Sequence, residues 1–467
     1  MKVVIIGGVA GGMTVARRLR RKDSSLDITI IDRSYHLAPS TCMLPYAITR
    51  DISDDRLHLS KIEEFEKRYN IKVKTMNEVI GLDEKNKELK VIETGSGSIF
   101  KLSYDKLIIS TGTDAIRLKE LDDLNDNIFI FKNLKNLQRL KTTLENGNYK
   151  NVSIVGAGIL GFELAENLHE LGYNINIIDR EKRVLSQFDS EIIKVLEEKV
   201  SDKVNIYANS TISSAKLVDN KIELNLGHAK ILTDIVVVTV GNRPNSTFLE
   251  NTSIKRDKAG YIYVDEYFQT NNPDIYALGD VILTKEYITK EAMVFGTASV
   301  AQKQGRYVAE NIIAEKSKKQ DKIAYKGAVK TEIVKIFDYT LGRVGLNERE
   351  INEYYKINNK QVSVNNDIDI VYIEEVANVP SFDKAKPIYM VGYFDKTTKK
   401  IIGAQAFGLE AVDKRLDVIA TAIKAEMTAD DLVDLDLTYS PPFNIPRDIV
   451  NRLGSLAQKG DIKWDII

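Results

Sequence analysis

The chain has 467 residues, 43% of them hydrophobic and 28% charged, with a formal net charge of −1; that length calls for two or three domains, and the composition is that of an ordinary globular enzyme. The near-zero balance excludes nucleic acid or an anionic membrane as expected partners, and no apolar run is long enough to cross a bilayer. One cysteine, Cys42, and four scattered histidines exclude an intramolecular disulfide, a Cys-x-x-Cys pair and a multi-cysteine metal site, so no metal is expected; with no signal-peptide pattern at the start, a reducing cytoplasm is the expected compartment.

The first element is the β-branched run Lys2 to Ile6, which reads as a buried parallel strand. The glycine cluster Gly7-Gly8-Val9-Ala10-Gly11-Gly12 follows, then a helical stretch from about Met13 to Arg21. A second apolar strand, Ile28 to Ile31, ends at Asp32, with Arg33 after it. Residues 71–109 are strand-rich and finish in Leu107-Ile108-Ile109-Ser110-Thr111-Gly112. The opening order then repeats: strand Val152 to Val155, turn Gly156-Ala157-Gly158-Ile159-Leu160-Gly161, helix Phe162 to Leu171 stopped by Gly172, strand Ile175 to Ile178, and Asp179. A strand ending at Gly241 closes this second unit. Residues 316–322 are polar throughout and read as a linker, and residues 325–467, without a glycine-rich loop, read as a separate α+β domain.

Strand, glycine turn, helix, strand, acid is the pattern of a mononucleotide-binding unit. A pyrophosphate needs backbone N–H donors at a helix N-terminus, where side chains would block its approach, and the acid at the end of the next strand bonds a ribose diol. The second loop keeps all three glycines, Gly156, Gly158 and Gly161, with Asp179 as its acid. In the first loop Val9 occupies the middle position, leaving Gly7, Gly8, Gly11 and Gly12 with Asp32. An acid at the second ribose favours NADH over NADPH, because a 2′-phosphate would be repelled; Arg180 beside it leaves NADPH open. Cys42, in Thr41-Cys42-Met43-Leu44-Pro45-Tyr46, follows the first acid closely. A lone cysteine is most often a small buried hydrophobe. At the head of a helix near a bound cofactor it becomes a candidate thiolate. Arg17, Arg18, Arg20 and Arg21 crowd the first helix, with Arg18 and Arg21 on one face, which suits a ligand with several phosphates or a solvated basic surface.

These features, with Thr270 to Asp280, Gly241-Asn242-Arg243-Pro244-Asn245, Ile333 to Tyr339, Val412-Asp413-Lys414-Arg415 and Thr438-Tyr439-Ser440-Pro441-Pro442-Phe443, resemble the single-cysteine branch of the pyridine nucleotide-disulfide oxidoreductases. That branch holds coenzyme A-disulfide reductases, CoA-persulfide reductases, NADH oxidases and NADH peroxidases, and the first of these is the nearest likeness. The resemblance implies an α/β fold of two Rossmann-like dinucleotide-binding domains, for FAD and NAD, plus a C-terminal α+β dimerisation domain. It places the FAD-binding domain at residues 1–113 and 242–318, the NAD(P)H-binding domain at 114–241 and the dimerisation domain at 323–467. FAD would lie on Gly7, Gly8, Gly11, Gly12, Asp32, Arg33, Thr111, Gly112, Gly279 and Asp280, and NADH on Gly156, Gly158, Gly161, Asp179 and Gly241. Cys42 would be the nucleophile, assisted by Tyr439 from the partner subunit of an obligatory homodimer. Thr14, Arg18, Arg21 and Arg447 would face CoA or a similar small thiol or disulfide.

Departures from the family pattern fall on the substrate pocket. Met43 follows the cysteine where glycine or alanine is usual, and Thr41 precedes it where asparagine is common. Ala38 matches a serine, Asn378-Val379 stands where a tyrosine pair is usual, and Ile159 replaces a tyrosine at the nicotinamide pocket. Without a second cysteine, the oxidised form of Cys42 must be a mixed disulfide, a persulfide or a sulfenic acid. The expected activity is therefore disulfide or persulfide reduction. An NADH oxidase working through a sulfenic acid, or a non-catalytic NADH-binding flavoprotein sensor, are the alternatives; the absence of histidine from residues 7–14 disfavours a peroxidase.

Overall fold

A β-branched run that ends in a glycine turn is stable only when both its faces are covered, which is the environment of a parallel sheet between helices. In the computed structural model, which describes residues 1–49, 52, 54–57, 61–122, 124, 126–318, 321–357, 367–381, 385–460 and 462–465, Lys2–Ile6 takes that place. It pairs in parallel with Asp27–Ile31 on one side and Lys106–Ile109 on the other. Ile275–Ala277 and Lys72–Lys74 extend the sheet to five strands. The first helix runs Ala10–Lys22, three residues longer at its start than the sequence suggests, because Gly11 and Gly12 are buried in its first turn. Its Val15, Ala16 and Leu19 pack on the sheet core. The helix Ala298–Ser317 belongs to the same core, and a Cβ on its Gly305 would come 2.8 Å from the Gly11 carbonyl oxygen.

By internal packing the chain forms two compact units, Met1–Ile116 with Ile130–Thr142 and Gly241–Ala328, and Arg117–Phe129 with Thr143–Val240 and Val329–Ile467. The second unit repeats the parallel core with Val204–Tyr207, Asn174–Ile178, Asn151–Val155 and Ile235–Val238, in that order. Its glycine loop leads into the helix Ile159–Glu170, which begins earlier than Phe162 for the same reason as the first. Gly172 follows at φ +88, a left-handed stop.

The C-terminal part of the second unit is a six-stranded sheet in the order Thr331–Ile336, Tyr339–Gly345, Ile401–Gly408, Pro387–Asp395, Ile368–Val376, Ile462–Asp465. All neighbours are antiparallel except the last pair. The helices Val412–Lys424 and Ile449–Ala457 bury Leu416, Ile419, Ile423, Leu453 and Leu456 against it. Two buried acids join this sheet to the nucleotide-binding half of the unit. Glu166, 3% exposed, accepts from the Phe337 N–H at 2.9 Å and pairs with Lys335; Asp189 accepts from Gln405 Nε2 at 2.6 Å.

The polar segment 316–322 is not a linker at its beginning. The helix continues through Ser317 because Val308, Ile312 and Ala314 bury its inner face, and it ends at left-handed Lys318. Lys319 and Gln320 lie outside the described residues.

Candidate active site and nucleotide loops

The two glycine loops have the same local construction. Gly7 and Gly156 stand at φ +101 and +114, which glycine adopts without strain, and each donates its N–H at 2.8 Å to the end of the following strand, Ile31 O and Ile178 O. A Cβ on Gly12 would overlap the Gly7 carbonyl oxygen, and one on Gly161 would overlap that of Gly156. These third glycines let the helix sit directly on the turn. The middle positions differ: nothing lies within 4 Å of a Cβ on Gly158, while Val9 carries an exposed side chain at the helix N-cap. The acids are tied back to the loops. Asp32 accepts from the Gly8 N–H at 2.6 Å and from the Ser34 N–H at 2.8 Å; Asp179 accepts from the Ala157 N–H at 2.6 Å and the Glu181 N–H at 2.9 Å. Arg180 is exposed and lies 3.5 Å from Glu181.

In the first unit a cleft of about 390 Å³ opens on the glycine loop. Gly7, Gly11, Asp32, Arg33, Thr111, Gly112, Gly279, Asp280 and Cys42 all line it. Gly8 and Gly12 stand behind, packed on Leu37 and Ile5. Arg33 is held against Asp114. Thr111 Oγ1 donates to Asn245 O at 2.7 Å, fastening one wall to the strand end after residue 242. Gly279, at φ +77, donates its N–H to Gln304 Oε1 at 2.7 Å, and this turn presents Asp280 to the cleft. Burial raises the Asp280 carboxyl above its usual range, with Lys132 pulling it back; burial likewise lowers the Lys132 ammonium, with Asp280 opposing. Lys132 also donates to Thr113 Oγ1 at 3.0 Å and to Asn242 Oδ1 at 2.9 Å. A glycine floor that no Cβ could share, an acid at the adjacent strand end and a half-buried second acid fit a flavin dinucleotide.

Cys42 is exposed, and it is the middle residue of the three-residue 3₁₀ turn Thr41–Met43. The helix expected to start there does not form; turns continue to Thr49. Ser40, Met43 and Leu44 bond within this loop, and Pro45 interrupts any regular ladder. A macrodipole therefore does not act on this sulfur. Ala38 stands at φ +50, 2% exposed, donating its N–H to Gly8 O at 2.9 Å, and His36 lies edge-on to Tyr35.

The basic helix resolves into separate duties. Arg20 donates to the carbonyls of Ser24, Leu26 and Asn70 and closes the helix end. Arg18 Nε donates at 2.7 Å to Glu310, which Lys22 also meets at 3.3 Å. Arg17 and Arg21 are exposed, and Thr14 Oγ1 donates to Ala10 O. Gly241, at φ +108, accepts from the Ile116 N–H at its carbonyl and belongs by packing to the first unit. In the second unit, Tyr439 is half exposed, Arg447 bonds Ser455, and Ile159 opens its helix half-buried.

Sequence reasoning missed Lys132 and Asn133, which line the cleft. Their one signal is position: they end the apolar run Ile128 to Phe131, as Asp32 and Asp179 end theirs.

Residues 1–305 match the family described as pyridine nucleotide-disulphide oxidoreductase, and residues 331–448 match the dimerisation domain of the same group. The chain belongs to the pyridine nucleotide-disulphide oxidoreductase family. It is 32% identical over 459 residues to the coenzyme A disulfide reductase of Staphylococcus aureus strain COL, covering 98% of this chain and all of that one. The crystal structure of reduced Bacillus anthracis CoADR-RHD superposes with a TM-score of 0.91 at 30% identity, over 98% of this chain and 80% of the other. An NAD-dependent persulfide reductase from A. fulgidus gives a TM-score of 0.89 at 29% identity, over 98% and 83%. As a member of this oxidoreductase family the chain is a flavin-dependent disulfide oxidoreductase that uses FAD and NAD(P)H. Among the described residues, no helix is long and apolar enough to cross a membrane.

Proposed function

We propose that the chain reduces CoA disulfide, or a closely related low-molecular-weight disulfide or persulfide, with NADH preferred over NADPH and Cys42 as nucleophile. The observation that carries this reading is that the chain's one thiol stands exposed in the wall of the same cleft that presents Asp280, Thr111 and the first glycine loop. The domains are FAD-binding at 1–113 and 242–318, NAD(P)H-binding at 114–241 and dimerisation at 323–467, in a cytoplasmic homodimer. Gly7, Gly11, Gly12, Asp32, Arg33, Gly279 and Asp280 hold FAD, which when bound passes two electrons from NAD(P)H to sulfur. Gly156, Gly158 and Gly161 take the NADH pyrophosphate and Asp179 its ribose.

The Cys42 thiolate attacks one sulfur of the disulfide. The old S–S bond breaks, one CoA thiolate leaves, and a mixed disulfide forms on Cys42. Two electrons and a proton then release the second CoA and restore the thiolate. Tyr439 of the opposing protomer donates its hydroxyl proton toward the departing sulfur, and Thr14, Arg18, Arg21 and Arg447 meet the phosphates of CoA.

Anaerobic NADH consumption with CoA disulfide, set beside an aerated sample without it, tests this. Turnover with the disulfide, abolished in Cys42→Ser, is the expected result. Consumption in air alone, indifferent to the disulfide, would replace the reductase with an NADH oxidase. Slow flavin reduction that no disulfide accelerates would leave a sensor.

A further inference from the structure

Between Asp179 and the helix Ser190–Val200 the chain makes a loop whose two ends are fastened to different parts of the second unit. At its start it grips the second glycine loop twice. The Asp179 carboxylate accepts from the Ala157 N–H at 2.6 Å, and the Leu185 N–H donates to the Ala157 carbonyl at 2.8 Å. Leu185 is 1% exposed and stands at φ +47, a left-handed conformation that a leucine keeps only where its surroundings impose it. At its far end the loop is held by the C-terminal sheet. The Asp189 N–H donates to Gln405 Oε1 at 2.9 Å, and Gln405 Nε2 donates back to the Asp189 carboxyl at 2.6 Å. Just before them, Asn347 Nδ2 donates to the Gln187 carbonyl at 2.8 Å. Asp189, Gln405 and Asn347 are all buried, so water does not compete for these bonds.

The first unit shows that such an anchorage is not required by the nucleotide fold. Ala38 stands there as far past its acid as Leu185 stands past Asp179. Its φ is +50 and its N–H donates to the Gly8 carbonyl at 2.9 Å, the same construction. Where the second loop then reaches the buried Asp189, the first reaches the exposed Cys42. The tie is also polar where an apolar contact would serve packing alone. Paired hydrogen bonds are directional and are lost together if the loop slides, so they admit one register. The surroundings of Asp189 are mostly acidic: Glu191 from its own helix and Glu348 from the helix Glu348–Ile357, with Arg183, shared with Glu197, as the facing cation. Arg349 and Glu353, 3.7 Å apart, line the cleft beside it, and Tyr372 of the strand Ile368–Val376 faces the same group of acids. Burial, and then Glu348, push the Asp189 carboxyl up to about 7.

We propose that Asp189 and Gln405 are positioning residues for the nicotinamide nucleotide: by fixing the end of this loop, the C-terminal sheet holds Asp179 and Ala157 where the ribose and pyrophosphate of NADH meet them. The inference rests on NADH binding at this glycine loop and adds what sets the loop's register. Ionisation of Asp189 adds a carboxylate beside Glu191 and Glu348 and loosens the tie. Nucleotide affinity from this source is full while Asp189 is protonated and declines as pH rises through about 7.

The test is titration of the FAD-loaded, oxidised protein with NAD+, which passes no electrons to it, from pH 6 to pH 8.5, beside thermal melts. The wild-type Kd is expected to rise about threefold over that range. Asp189→Asn, neutral throughout, keeps the low-pH Kd at both ends. Asp189→Ala and Gln405→Leu each weaken NAD+ binding about fivefold at pH 6, the worth of a lost hydrogen bond, and raise KM for NADH by the same factor. The flat pH profile of Asp189→Asn and its rescue of the alanine defect separate positioning from a merely structural role. In that role the melting temperature of Asp189→Ala would fall while the Kd of the folded protein stayed put. One NAD+ Kd for wild type and all three variants at every pH overturns the inference. Gly158→Ala checks the site itself. If it weakens NAD+ binding while the three variants do not, the tie is discarded and the nucleotide site stands. If Gly158→Ala binds NAD+ unaltered, the nucleotide site and the positioning role fall together.

Discussion

At the scale of single residues, the second glycine loop separates two jobs that one motif hides. Gly161 is a packing glycine: its missing Cβ is the space occupied by the Gly156 carbonyl. Gly158 is surrounded by open space, so its missing Cβ matters only to something that arrives later. Gly161→Ala is expected to displace the helix Ile159–Glu170 and destabilise the chain by about 1–3 kcal/mol. Gly158→Ala should leave the melting temperature alone and raise the Kd for NADH by roughly tenfold, since a methyl would stand where the pyrophosphate approaches. Thermal melts and NADH titrations of the two variants read these out; an unstable Gly158→Ala that binds NADH normally would reverse the assignment. These glycines were legible in the sequence because every atom that constrains them lies within a strand and a turn. Lys132 was not. It reaches Thr113, Asn242 and Asp280 across long stretches of chain, and only the folded sheet shows that they meet.

At the scale of elements, the differences between expected and observed structure have local causes. The two loop helices begin early because buried glycine is tolerated in a first turn that must touch the sheet. The helix expected at Cys42 is replaced by a 3₁₀ turn, since Pro45 and the internal bonds of the loop leave no ladder to propagate. The helix Ser190–Val200 carries a further consequence. Its N-cap, Asp189, is 4% exposed and faces the strand Ile401–Gly408 through Gln405, with Glu348, Glu191 and Arg183 around it. Burial, and then the Glu348 carboxylate, push the Asp189 carboxyl up to about 7 from 3.8. The folded chain therefore holds a proton that the unfolded chain releases near pH 4. Stability from this group is full below that pH, falls as pH rises toward 7, and is flat beyond, a loss on the order of a few kcal/mol. Asp189→Asn is expected to melt with the wild type at pH 4.5 and above it at pH 8. A melting difference that does not change with pH would show that Asp189 is ionised throughout.

At the scale of the whole molecule, the duplicated nucleotide fold follows from a pattern that repeats along the chain, whereas the proposed catalytic assembly would depend on a partner subunit, for which the chain's dimerisation domain is the support. Cys42 and Tyr439 belong to different compact units, and each is exposed to solvent in its own. In the proposed symmetric homodimer, Cys42 of one protomer would meet Tyr439 of the other twice over, because an isologous interface repeats every cross-contact. That arrangement has a test that separates it from a site within one chain. Cys42→Ser and Tyr439→Phe are each expected to cut CoA disulfide turnover severely. In a dimer holding one chain of each kind, a site shared between protomers puts both lesions at one centre and leaves the other centre intact. Co-expressing the two variants with different tags and isolating the mixed dimer should then recover about half of wild-type activity per dimer, as the two-fold symmetry requires. If Tyr439 served its own chain's Cys42, each centre of the mixed dimer would carry one lesion and no activity would return. Recovery in the mixed dimer thus identifies the dimer as the catalytic unit, and its absence returns Tyr439 to the protomer that carries it.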